Sequence, residues 1–169
     1  MITRRGIEWL SQAADDPAVC RMAWLDDPRQ PQLLAAGHTF DVLTTGQRLG
    51  TETFDQLRLH GMPVGPVMVD RAAGRMGFFL PPGSQEKFAR ALARESESAV
   101  PYRYLGLGSY IVAPGPLALT GDRFEWLKPP ARPQHGSPFQ TVSLAVMFAA
   151  ASFLIDRADH YGQAMADVR

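Results

Sequence analysis

Few side chains in this chain could do chemistry, and their spacing separates sites from scaffolding. The four histidines, His38, His60, His135 and His160, are isolated from one another. None pairs at the helical spacing that lets two imidazoles share a metal ion. His60, just before Gly61, fits a helix C-terminus, where positive charge meets the negative end of the helix dipole. Asp15–Asp16 and Asp26–Asp27 each sit beside a proline at a predicted helix boundary, so they read as caps and turn residues. "GLGS", Gly106 to Ser109, lacks the lysine of a phosphate loop and leads into a strand, so its glycines suggest a bulge or a close backbone approach. No serine lies in a GxSxG elbow. Tyr102, Tyr104, Tyr110, Phe78 and Phe79 fall on predicted extended segments, where rings either fill a core or stack bases.

One stretch raises a sharper question. "TFDVLTTGQRLG", Thr39 to Gly50, begins as a buried strand (Phe40, Val42, Leu43) and turns toward a helix, a common place for catalytic groups. Its strand end nevertheless carries Thr44, Thr45 and Gly46, with no acid, base or strong nucleophile.

The bulk composition sets the frame. With 169 residues, 46% of them hydrophobic, the chain can bury one good core. Seventeen basic residues balance seventeen acidic ones, which argues against binding driven by non-specific attraction to phosphate. The basic residues are nearly all arginine, with Lys87 and Lys128 the only lysines, and this leans toward ion pairing and planar recognition. Cys20 is the single cysteine, so neither an internal disulfide nor a cysteine-based zinc site can form. The first residues show no long apolar run of a secretory signal. The sustained apolar run Val142–Ile155 is short of a membrane span and closes at Asp156 and Arg157. A soluble cytoplasmic protein is the expectation.

The elements that must position any site are legible in outline. Thr3 caps a first helix, and Asp16 with Pro17 starts a second. "QLLAAG" and "TFDVLTTG" read as short strands bounded by glycine. A helix then starts at Thr51 or Thr53, buries Phe54, Leu57 and Leu59, and stops at Gly61. "PVGPVMVDRAAGRMGFFLPP" reads as a hairpin, with Val64 to Val69 and Met76 to Leu80 as its arms. Ser84 caps a helix that buries Phe88, Ala91 and Leu92. An extended segment from Tyr102 and a strand in "DRFEWLKPP" follow. The division is an α+β domain over 1–130, a proline-rich linker at 131–140 and a C-terminal helix from 141 on, packed on the domain or a partner. The fold class is α+β, with a mixed or antiparallel central sheet flanked by helices.

Several segments together resemble the N-terminal domain of bifunctional DNA primase/polymerases, the prim-pols of the archaeo-eukaryotic primase superfamily. They are "AWLDDPRQPQLLAAGHTFDVLTTGQRLGTETFDQLRLHGMPVGP", "GRMGFFLPP" and "YRYLGLGSYIVAPGPLALTGDRFEWL". "GSYIVAPGP" followed by "GDRFEW" is the closest local likeness, and the resemblance runs from Ile7 to Leu127. It implies a strand closing in an Asp-x-Asp pair, a histidine before an aromatic pair, and a further acid ahead of the glycine block. Here the aspartates fall at Thr44 and Gly46, the histidine at Met76 and the further acid near Arg103. Two-metal phosphoryl transfer needs carboxylates to hold its cations, so the resemblance implies a degenerate member without metal cofactor or catalysis. Asp41 and Asp70 are the acids that a shifted register would have to recruit.

Arg103 at a position implied for an acid, with Arg48, Arg71 and Arg75 on adjoining segments, would exchange a cation-binding pocket for a cationic one. The expected ligand set is therefore Arg48, Arg71, Arg75, Arg103, Tyr104 and Tyr110. Nucleotide or single-stranded nucleic acid is the expected partner, in a binding or regulatory role. The alternatives are a small active primase using Asp41 or Asp70, and an interaction subunit that dimerises through Val142–Ile155.

Overall fold

The computed structural model describes residues 2–131 and 137–166. Two helices open the chain, α1 (Arg4–Ser11) and α2 (Pro17–Asp26). The Thr3 hydroxyl accepts the Gly6 amide at 3.2 Å, and the Asp16 carboxylate accepts those of Ala18 and Val19. Both helices thus start at the predicted caps. Then come β1 (Gln32–Ala35), β2 (Asp41–Gly46), α3 (Gln47–Leu59), β3 (Val67–Asp70), β4 (Arg75–Leu80), α4 (Gln85–Glu95), β5 (Arg103–Leu105), β6 (Tyr110–Ala113), β7 (Phe124–Lys128) and α5 (Gln140–Ala166). The fold is α+β, and all its strand pairs are antiparallel.

Five strands form the main sheet, in the order β5-β2-β4-β3-β7, and β1 and β6 pair as a separate ribbon. Each face of the main sheet carries its own core. On one face Leu43, Met76, Phe78, Leu80, Val67 and Val69 pack beneath α3, α4 and α5. On the other, Val42, Phe79, Met68 and Leu105 meet α1, α2 and the ribbon. A side-chain period of two makes this division: neighbours along a strand serve different cores.

Four local expectations are corrected. Helix α3 starts at Gln47, earlier than Thr51 or Thr53, because strand β2 runs straight into it with Gly46 as its cap residue. Thr53 lies inside the helix, its hydroxyl bonded to the Leu49 carbonyl at 2.7 Å, and Leu59 is exposed rather than buried. Ser84 precedes α4 but makes no side-chain cap; its hydroxyl donates to the Pro81 carbonyl. The extended segment from Tyr102 is broken into β5 and β6, in different sheets, by a turn through Gly108, whose φ of +84° suits glycine.

Helix α5 packs on α3 and α4 along its first half. Phe148 is fully buried, edge-on to Tyr102 and near Phe88. The apolar run Val142–Ile155 is therefore largely covered within the chain up to Ala151, while Phe153 and Leu154 at its end, and Tyr161 and Met165 beyond it, remain exposed. By length and composition α5 would also pass for a membrane span, but its apolar half is spent on this core. Residues 132–136, half of the predicted linker and His135 with it, lie outside the described residues.

Candidate functional site

Antiparallel register puts directly paired residues on one face. Across the middle of the main sheet this gives a row: Arg103 on β5, Thr44 on β2, Gly77 on β4, Met68 on β3 and Trp126 on β7. The next row on the same face is Gly46, Arg75, Asp70 and Phe124. Over these rows lies a cleft of about 990 Å³, walled on one side by Ser109 and by Tyr110 and Ile111 of the ribbon. Gly77 forms part of its floor, and a Cβ there would press on Met68 and Val42 at 3.1 Å.

The cleft is cationic. Thr44 is nearly buried, and its hydroxyl accepts from Arg75 Nη2 at 2.9 Å while donating to the Arg103 carbonyl at 3.3 Å. Among the described residues, neither Arg75 nor Arg103 lies within ion-pair distance of a carboxylate. The third guanidinium at the rim, Arg123, is held by Asp70 at 3.2 Å and covers the Phe124 ring at 4.7 Å. Among the described residues, Asp70 is the one carboxylate lining the cleft. Burial alone would raise its pKa, but the Arg123 guanidinium and the Ala73 and Ala72 amides outweigh that and hold it below the usual range.

The predicted site residues separate accordingly. Thr44, Gly46, Arg75, Arg103 and Tyr110 line the cleft together. Met76 borders it, but its side chain belongs to the opposite core, tight against Gly50 and 3.5 Å from the Thr51 hydroxyl. Arg75 and Gly77, its strand neighbours, hold the cleft-facing positions instead. Three members of the expected ligand set lie elsewhere. Arg48 pairs with Asp159 on α5 at 2.7 Å, and Arg71 pairs with Glu125. Tyr104 faces the helix side, where its hydroxyl donates to Asp41 Oδ2 at 2.6 Å. Burial first, and then the Asp41 hydrogen bond, raises the Tyr104 pKa far above its ordinary value, so it stays a donor. Sequence reasoning missed Arg123, although it lies in "GDRFEW", because that likeness gave it no role; its place at the rim follows from its position just ahead of β7, beside β3.

Asp41 does not serve the cleft. It is 2% exposed, and Oδ2 also accepts the amides of Gly83 at 2.9 Å and Ser84 at 3.2 Å. A carboxylate 43 residues upstream of Ser84 thus secures the start of α4. The cleft's residues do not fit the divalent ions that the resemblance implies. Threonine and glycine stand at the two positions that the resemblance implies for ligands, and Asp70 already spends both oxygens on Arg123 and one of them also on the Ala73 amide. What the arrangement can do is hold an anion: planar guanidiniums on the two strands that flank β2 suit phosphate oxygens.

Comparison with known proteins agrees with this architecture. The family described as "Bifunctional DNA primase/polymerase, N-terminal" matches residues 4–139, ending just where α5 begins. No curated protein and no solved structure matches the chain. With so much of its length matched, the chain belongs to the bifunctional DNA primase/polymerase family, by its N-terminal domain.

Proposed function

We propose that this protein binds the phosphate of a nucleotide or nucleic acid through arginine side chains, as a primase/polymerase-like module that does not transfer nucleotides. The observation that carries this reading is the row Arg103–Thr44–Gly77 with Arg75 beside it. Here the two positions implied for metal-binding aspartates are occupied by Thr44 and Gly46, and two guanidiniums stand without a carboxylate among the described residues. Metal-holding primases need negative side chains at that point; this surface offers positive ones. Tyr110, half-exposed on the ribbon wall, supplies a ring against which a base can stack.

The reading is tested by titrating nucleoside triphosphates and short single strands into the protein in EDTA. Binding without metal, lost on Arg75→Ala and Arg103→Ala, supports it. Metal-dependent extension of a primed template would overturn it and restore the active-enzyme alternative. That alternative relies on Asp41 or Asp70, yet Asp41 is buried on the far face of β2 and Asp70 is engaged by Arg123.

A further inference from the structure

Resting on the phosphate-binding reading, we infer that Thr44 is a positioning residue for the Arg75 guanidinium of the cleft. A hydroxyl has one proton and lone pairs to accept with. Thr44 gives its proton to the Arg103 carbonyl at 3.3 Å, and its oxygen then receives Arg75 Nη2 at 2.9 Å. One side chain on the central strand therefore ties down the backbone carrying one arginine and the guanidinium of the other. Thr44 is nearly buried and Arg75 half-buried, whereas Arg103 is exposed. The anchored guanidinium is thus held at the cleft floor, and its remaining donors meet no partner among the described residues. Two consequences distinguish threonine from its neighbours in chemistry. Serine keeps both bonds. An aspartate would donate to nothing, would pair with Arg75 itself, and would neutralise the charge that the cleft presents.

The experiment uses the full chain, without ligand and then with ATP in EDTA. Nitrogen-15 relaxation at Arg75 Nε reads the anchoring in the free protein; calorimetry reads its effect on binding. Wild type and Thr44→Ser should show a restrained Arg75 Nε and bind ATP within about twofold of each other. Thr44→Val should release Arg75 and weaken binding about tenfold, the scale of one charge-assisted hydrogen bond. In an Arg75→Ala background the same change should weaken binding no further. If Thr44→Val lowers the melting point below the assay temperature, Thr44→Ala takes its place. An Arg75 Nε equally mobile in wild type and Thr44→Val overturns the inference, and so do effects that multiply in the double variant. A restrained Arg75 in a wild type that ignores ATP overturns the phosphate reading and leaves the positioning standing.

Discussion

The two faces of the central sheet treat charge in opposite ways. On the helix side, Asp41 is buried and its Oδ2 meets three donors, the amides of Gly83 and Ser84 and the Tyr104 hydroxyl. On the cleft side, Arg75 and Arg103 have no carboxylate partner among the described residues. Burying a charge is costly unless donors offset it; three donors meet Oδ2 while Oδ1 has no partner among the described residues, and an acid so enclosed is scaffolding. Charge left unpaired beside a solvent-open cleft costs little to keep and is available to a ligand. Three residues along β2 separate the two roles, and the alternation of the strand does the rest.

That contrast can be broken, and the largest effects belong to the helix side. Phe148→Glu would place a charge where Phe88 and Tyr102 close over the ring. The cost should be at least about 4 kcal/mol, enough to leave the chain unfolded by circular dichroism. Next comes Asp41→Ala, which strands three donors, two of them backbone amides; a loss of about 3 kcal/mol in urea melts is expected. A loss under about 0.5 kcal/mol would mean that water serves those donors equally well and that the face is not specialised.

Cleft-side changes should reverse the pattern. Arg103→Ala should leave the melting temperature unchanged while lowering affinity for nucleoside triphosphate in EDTA by about tenfold. If it destabilises the fold as Asp41→Ala does, the division between faces fails. A smaller effect concerns pH. The folded pKa of Asp70 lies below its unfolded value of about 3.9, so its stabilisation is complete above that value and fades as pH falls through the folded pKa. Asp70→Asn should flatten that acid limb in melts taken between about pH 5 and 2. Smallest of all, Arg48→Ala should not shift the melting curve measurably, since both Arg48 and Asp159 are more than half exposed.

Much of this was readable from residues alone where the signal is local. Thr3, Asp16 and Gly61 mark helix ends through their own side-chain or backbone chemistry, and all three stand where expected. Long-range pairings were not readable. The acid that secures α4 sits far upstream, so Ser84 looked like the cap. Arg48 and Arg71 looked free because Asp159 and Glu125 are 111 and 54 residues away. Strand alternation could have excluded one expectation: Arg103 and Tyr104 are neighbours on β5 and cannot both face the cleft. Placing Met76 required the β2–β4 register, which no residue type announces.

The pairing of β2 with β5 also bears on the order of assembly. Thr44 meets Gly77 across 33 residues of chain but Arg103 across 59, and closing the longer loop costs more entropy. The hairpin strand that brings Arg75 can therefore dock while β5, three residues at the sheet's edge, is still detached. A phosphate bridging both arginines would then act as a late clasp. It would slow the detachment of β5 and, in hydrogen exchange, protect the amides of that short strand more than those of β4.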